Sequence, residues 1–177
     1  QTLYVTESDS DSVSFVDICQ AAFLHPERLP VGEEPALEAN AVYQPGRSTG
    51  AFSYATHACT VAVDPGTGHV DILDYVVCHD CGTMVNPMIV EAQVVGGVAQ
   101  GLGTALYEEI PYDDNGQPLA STFLDYMIPG SPEVPDVRVL HMETPSPHTR
   151  FGIKGMGEGG TIAPPAAVVN AINDALR

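Results

Sequence analysis

The run VNPMIVEAQVVGGVAQGLGTALYEEI, residues 85–110, limits the fold more than any other stretch. Its apolar residues recur at helical spacing, Pro87 suits a first helical turn behind Asn86 as cap, and Glu108 and Glu109 stand near its end. This predicts one helix from Pro87 to about Tyr107. Gly96, Gly97, Gly101 and Gly103 all fall inside it. Each would cost a solitary helix up to ~1 kcal/mol relative to alanine, so something must approach the helix backbone at very close range.

The flanking text supplies the partners. Gln1 to Phe15 reads as a short extended hairpin, and Ser14 to Phe23 as a helix with Val16, Ile18, Cys19, Ala22 and Phe23 on its apolar side. A polar, proline-containing stretch runs on to Gln44. From Ser48 onward, GAFSYATHACTVAV and HVDILDYVVC are two alternating runs about the turn-rich DPGTG, which predicts a β-hairpin. Beyond the glycine-rich helix, YDDNGQPL is an expected turn, STFLDYMIP and DVRVLHME are expected strands, and Ala163 to Leu176 an expected helix. The fold class is α+β, without internal repeats or low-complexity segments.

Charge narrows the partners. Six Lys+Arg against 23 Asp+Glu give a formal net charge of −17. The cationic surface that neutralises phosphates or anionic lipid is missing, so nucleic acid and membrane surfaces are set aside. No apolar run approaches the roughly 20 residues of a spanning helix, and no basic-plus-apolar leader opens the chain.

The cysteines Cys19, Cys59, Cys78 and Cys81 are too few and too scattered for a disulfide scaffold, which points to a reducing compartment such as the cytoplasm. VCHDCG contains a C-x-x-C and THAC adds His57 and Cys59, so a zinc site is one reading. The other makes Cys59 and Cys78 small buried hydrophobes.

RFGIKGMGEGGTIAPPAAVV, residues 150–169, sets one carboxylate, Glu158, in a run of glycines before an apolar helical segment. Gly155, Gly157 and Gly160 satisfy G-x-G-x-x-G, but TPSPHTRFGIK in front is no hydrophobic strand, and no second strand follows in the residues up to Arg177. A dinucleotide-binding fold is rejected. Backbone N–H groups of a glycine loop and a helix start can still hold an anionic ligand, and the missing side chains let it come close. A carboxylate beside such a ligand in an apolar pocket should have a raised pKa, as a general base near neutrality needs. The competing reading is a solvated loop glutamate.

Together, VNPMIVEAQVVGGVAQGLGTALYEE and TPSPHTRFGIKGMGEGGTIAPPAAVVNAINDAL resemble the molybdenum-binding large subunit of the xanthine oxidase family, in the branch typified by aerobic carbon monoxide dehydrogenase. The resemblance runs from about Thr49 to the C-terminus. It implies the C-terminal part of such a subunit, with residues 1–47 an N-terminal segment of a split domain and 48–177 the C-terminal portion of a molybdopterin-binding domain. The family's upstream cofactor and substrate-selecting loops have no counterpart here, so the expectation is a large subunit encoded in two pieces or cut, with the remainder as a separate chain or fragment.

By this resemblance Glu158 matches the catalytic base, which takes up a proton while an electron-poor substrate carbon is hydroxylated with water as oxygen donor. Gln93 matches the glutamine that hydrogen-bonds the pterin, and Val85, Asn86 and Ile89 match cofactor contacts. Lys154, Gly155, Met156 and Gly157 match the loop that wraps the cofactor before the base. Close packing of pterin on the helix would then account for its glycines. In this family molybdenum is held by the cofactor's dithiolene, so no side chain here is expected as a metal ligand. The implied cofactor is molybdopterin cytosine dinucleotide. The implied partners are an iron–sulfur subunit with two 2Fe–2S clusters, an FAD subunit and a small-molecule substrate.

Cys78 and Cys81 stand where relatives usually carry acidic or small residues, which leaves the local loop open. Carbon monoxide oxidation is the alternative within the family. A non-catalytic, zinc-stabilised assembly subunit using Cys59, Cys78 and Cys81 is the alternative outside it.

Overall fold

The computed structural model describes residues 1–6, 8–44 and 51–177, and the chain divides into two compact units, Gln1–Gln44 and Pro45–Arg177. The boundary expected between residues 47 and 48 lies outside the described residues.

In the first unit, β1 (Thr2–Val5) pairs antiparallel with β2 (Ser8–Ser14), with Leu3 opposite Val13 and a register shift between Tyr4 and Val5. Helix α1 (Phe15–Phe23) starts at Ser14, whose hydroxyl accepts the Asp17 N–H at 3.0 Å, one of the orphan donors of a helix start. Of its expected apolar side only Ala22 is buried within the described residues, while Val16 and Phe23 are each 62% exposed. A single 3-10 turn, Pro26–Arg28, interrupts the otherwise irregular path to Gln44.

The second unit is built on the predicted hairpin. β3 (Tyr54–Val63) and β4 (Val70–Asp80) pair from Tyr54↔Asp80 to Val63↔Val70, with a bulge between Thr60 and Val61. Asp64 holds the turn, accepting from Gly66 N–H and the Thr67 hydroxyl, both at 2.8 Å. Strand β5 (Val137–Met142) lies parallel to β4, Tyr75 facing Val137, which gives the order β3-β4-β5. Strand alternation puts Ala55, His57 and Cys59 on the same face as Tyr75, Val77 and His79, and as Val137, Val139 and His141.

Two helices cover that face. α2 (Pro87–Leu102) buries Val90, Val94, Val98 and Leu102, and α3 (Pro164–Ala175) buries Val168. With Tyr75 and Val77 these form the core, and α3 packs chiefly on β3. The helix expected to run to Tyr107 is α-helical only to Leu102 and closes in a π-helical turn, Gly103–Tyr107, where Glu108 N–H reaches Gly103 C=O at 2.8 Å.

One expected strand is absent. STFLDYMIP is a run of turns, because the Asp125 and Tyr126 amides both donate to Thr122 C=O and the Thr122 hydroxyl donates to Asp125 Oδ2 at 2.9 Å. These local bonds satisfy the backbone without a neighbouring strand, and Phe123 and Leu124 stay exposed.

Candidate functional site

Two stretches far apart in sequence meet beyond the end of β4. After Asp80 the chain turns through Gly82, at φ +68°, and enters α2, while residues 149–160 fold back alongside. Gly82 and Ile153 form an isolated antiparallel bridge, Lys154 N–H donates to Cys81 C=O at 2.7 Å, and Gly152 C=O accepts from Ser146 and Thr83. A Cβ on Gly82 would collide with that Gly152 carbonyl. The reversal needs left-handed backbone at Phe151 (φ 65°) and Gly152 (φ 73°). For a bulky side chain this is a strained conformation, held here by the surrounding bonds.

Past the reversal the loop alternates. Lys154 and Met156 turn inward, and Gly155, Gly157 and Glu158 face outward. Residues 154–157 match the cofactor-wrapping loop by resemblance, and two of their side chains, those of Lys154 and Met156, are turned into this chain. The Lys154 ammonium sits 3.0 Å from Asp80 Oδ1 and 4.6 Å from the centre of the Tyr54 ring, and Met156 packs against the core. Their side chains anchor the loop, and the bare glycines face out.

Burial by itself would raise the Asp80 pKa. Hydrogen bonds from Thr144, from the Gly82 amide and from Lys154 outweigh it and hold the carboxyl well below the usual carboxylate range. Tyr54 adds its hydroxyl to Asp80 Oδ2 at 2.9 Å.

The other site segment is α2. Asn86, Ile89, Gln93 and Gly96 recur at three- and four-residue steps, so they share one face, and Ile89 and Val85 are exposed beside it. The Asn86 side chain caps the helix, its Oδ1 accepting Ile89 N–H at 3.3 Å. Gln93 Nε2 donates to Gly157 C=O at 2.7 Å, joining α2 to the residue before Glu158.

The helix glycines have a partner that the resemblance did not imply. A Cβ at Gly97 would come within 2.8 Å of Gly160 Cα, and one at Gly101 within 2.7 Å of Pro164 Cγ. The close approach explained by pterin is made, at these two positions, by the chain's own C-terminal loop and by α3. Among the described residues, nothing lies within 4 Å of a Cβ at Gly96 or at Gly157.

Between the loop and the start of β3 lies a cavity of about 690 Å³, lined by Ser53, Tyr54, Ala55, His79, Gly155 to Gly159, Ile162 and Ala163. Glu158 is on its wall and exposed, its carbonyl accepting Thr161 N–H at 3.0 Å. The apolar enclosure expected around the carboxylate is not supplied by this chain alone. A flat polar group fits the outer surface here, because the side-chain-free backbone at Gly96 and Gly157 brackets an exposed amide.

His79, Asp80 and Tyr54 were not singled out from sequence. The alternation of HVDILDYVVCHD could have flagged His79, since it shares the inward parity of Tyr75 and Val77. The cysteines do not converge. Cys78 points to the opposite face of the sheet from His57 and Cys59, and the buried cysteine is Cys81, not Cys59 or Cys78. Among the described residues no group of three or more His, Cys, Asp or Glu side chains is placed to hold a metal ion. Among the described residues no helix is long and apolar enough to cross a membrane.

Residues 1–135 match the family described as molybdopterin cofactor-binding domain. Over 164 residues the chain is 43% identical to the nicotine 6-hydroxylase large subunit of Paenarthrobacter nicotinovorans, covering 93% of this chain and 20% of that protein. It is 34% identical over 172 residues to the carbon monoxide dehydrogenase large chain of Hydrogenophaga pseudoflava, covering 97% and 21%. Among solved structures, quinoline 2-oxidoreductase from Pseudomonas putida 86 superposes with a TM-score of 0.77 at 44% identity, over 99% of this chain and 22% of that one. The chain thus spans about a fifth of the length of these relatives. With a matching family over most of its length and a matching fold, the chain belongs to the molybdopterin cofactor-binding domain family of the xanthine oxidase-type molybdenum oxidoreductases.

Proposed function

We propose that this chain supplies the base-bearing loop and one pterin-facing wall of a molybdenum hydroxylase active site that is completed by the remainder of the large subunit. The observation that carries the reading is the 2.7 Å bond from Gln93 Nε2 to Gly157 C=O. It ties the exposed face of α2 to the loop that presents Glu158, so the two segments assigned to cofactor and base act as one surface. Residues 1–47 and 48–177 serve as two segments of that larger body.

The group to be held is a molybdopterin, proposed as its cytosine dinucleotide form, which when bound supplies two-electron oxidation of a carbon centre. Val85, Ile89 and Gln93 would line it along α2, with Gly96, Gly155 and Gly157 allowing close approach. Asn86 sets the start of that face through its cap. Lys154 and Met156 hold the loop from behind. Glu158 faces outward on a backbone fixed on both sides, and its carboxylate oxygens accept the proton released as water is delivered to the substrate. The rest of the subunit would exclude water and adjust the acid for that task.

The substrate class proposed is an electron-poor nitrogen heterocycle, supported by the relatives named for nicotine and quinoline at 43% and 44% identity, against 34% for the carbon monoxide dehydrogenase. Electrons would leave through a 2Fe–2S subunit to an FAD subunit, in a cytoplasmic hetero-oligomer. The test is Glu158→Gln in the assembled enzyme, with single-turnover reduction by substrate normalised to molybdenum. Molybdenum content should survive and the rate should fall by about 10²–10⁴. Retention of more than about a tenth of the wild-type rate, less than the weakest effect of losing a base, overturns the assignment.

A further inference from the structure

The inner face of the sheet carries three imidazoles where a core would ordinarily be apolar. His57 on β3, His79 on β4 and His141 on β5 share it, His79 and His141 facing each other across the parallel pair. His79 is 1% exposed, and neither of its ring nitrogens has a hydrogen-bond partner among the described residues. His57 Nδ1 is 3.0 Å from the Tyr75 hydroxyl, and its Nε2 has no such partner.

The ring of His79 is pressed against the catalytic loop. A Cβ placed on Gly159 would collide with His79 Nε2 and come within 2.8 Å of Cδ2. Gly159, one residue after Glu158, therefore abuts the Nε2 side of the imidazole, and Gly160 behind it is seated on α2 at Val94 and Gly97. Gln93 holds Gly157 from the other side. The backbone that aims Glu158 is thus fixed at Gly157 by a hydrogen bond, at Gly160 by close packing and at Gly159 by the His79 ring, with His57 also beside the Gly159 backbone.

We propose that His79 is the positioning residue of the Glu158 loop: its uncharged imidazole is the platform on which Gly159 rests, and charging that ring displaces the loop. The proposal rests on the reading of Glu158 as base, but its structural part stands separately. The titratable groups that act on the ring are His57 on β3, His141 on β5, Asp80 at the end of β4 and Lys154 on the loop, and Glu158 shares a cavity wall with it. Glu91 of α2 and Asp174 of α3 are exposed. Asp80 would favour a charged ring, but its carboxylate is engaged by Lys154, Tyr54 and the Gly82 amide. Burial, which weighs most, and the neighbouring His141 and Lys154 act the other way, so the His79 pKa is held below its ordinary value. The ring is neutral at neutral pH and takes a proton only when the medium is acid enough to overcome its burial.

The experiment uses the assembled holoenzyme. Hydrogen exchange of the Gly157 to Thr161 amides is followed by mass spectrometry between pH 8 and 5, after correction for the intrinsic pH dependence of exchange. The wild-type loop should lose protection on the acid side, and His79→Met, which cannot be charged, should remove that change. Turnover per molybdenum is measured in parallel for Gly159→Ala, expected to fall by about 10²-fold from misplacing the loop, and for Gly159→Ala with His79→Ala, expected to recover at least tenfold of that loss. Wild-type protection that does not vary with pH, or a double variant no better than Gly159→Ala, overturns the proposal. Exchange does not depend on what Glu158 does chemically. If Glu158→Gln keeps its rate while the acid-side loosening and its loss in His79→Met are seen, the base reading fails and the platform stands.

Discussion

The ammonium of Lys154 lies 3.0 Å from Asp80 Oδ1, with the two side chains 6% and 1% exposed. Desolvating both ions is costly, and the arrangement persists because Asp80 also accepts from the Gly82 amide and the Tyr54 hydroxyl, while Lys154 sits over the Tyr54 ring. The pair clamps the loop that carries Glu158 to the end of β4.

Removing one partner should therefore be worse than removing both. Lys154→Met leaves Asp80 charged and buried, at a cost of about 3–5 kcal/mol, and adding Asp80→Asn should recover most of it. The readout is the opening free energy of the Lys154 amide, bonded to Cys81 C=O, from native-state hydrogen exchange of the assembled enzyme. A loss under about 1 kcal/mol, the scale of an exposed pair, would show that the clamp is not closed in the holoenzyme. The depressed Asp80 pKa fixes the sign with pH: its contribution is complete above the ordinary carboxylate value near 4 and declines as pH falls below it.

Gln93 makes its bond to Gly157 on the exposed side of the molecule. Its loss should be modest for stability, about 0.5–1.5 kcal/mol, and larger for cofactor retention, since the same amide is proposed to meet the pterin. Gln93→Leu should raise exchange at Gly157 to Thr161 and lower molybdenum per subunit. Full molybdenum content with unchanged exchange would mean that the two segments do not act as one surface.

How much of this could be read in the chain follows from the range of the forces involved. The hairpin of β3 and β4, α2 and α3 are written in local periodicity and in residues such as Asn86, Pro87 and Asp64 that act within a turn. STFLDYMIP has the composition of a strand, but Thr122 and Asp125 satisfy its backbone locally, a competition that composition does not reveal. The nearness of Gln93 to Glu158 was implied only by resemblance, because it depends on α2 and the loop packing through Gly97 and Gly160. His79, Asp80 and the inward turn of Lys154 were missed for a related reason. Their roles exist only once residues 149–160 fold back onto the end of β4, and no periodicity encodes that contact.

The His57 and Tyr75 pair makes a second pH-dependent statement. Burial is the main influence on His57 and lowers its pKa, with a smaller push from His79, against an opposing one from the Gly159 backbone. A neutral buried histidine favours the folded state fully above its ordinary pKa of about 6.5, and that advantage is lost as pH falls toward the lower folded value. Denaturant midpoints should fall between pH 7.5 and pH 5, less steeply in His57→Leu than in wild type. Tyr75→Phe should cost about 1–3 kcal/mol at pH 7.5 by leaving His57 Nδ1 without its partner at 3.0 Å. Parallel pH curves for wild type and His57→Leu would exclude the ring as the source.

The glycines of α2 offer the sharpest contrast, because two neighbours in sequence face different bodies. A methyl carbon on Gly97 would stand 2.8 Å from Gly160 Cα and 3.0 Å from Thr161 N, whereas one on Gly96 would meet nothing within 4 Å among the described residues. Backbone atoms cannot yield as a flexible side chain can. Gly97→Ala should therefore push the loop off the helix, costing about 1–3 kcal/mol as an overpacked contact, with lower turnover because Gly160 moves with Glu158. In the cofactor-free subunit, Gly96→Ala should do the reverse, adding up to about 1 kcal/mol from helix propensity. Gly96 is also one turn past Gln93 on the face proposed to meet the pterin, so the same methyl should hinder loading. The expected pattern is a higher melting temperature without cofactor together with less molybdenum after reconstitution. If Gly96→Ala loads molybdenum as well as wild type, no group comes close to α2 at that position, and the pterin-facing wall must be sought on another element.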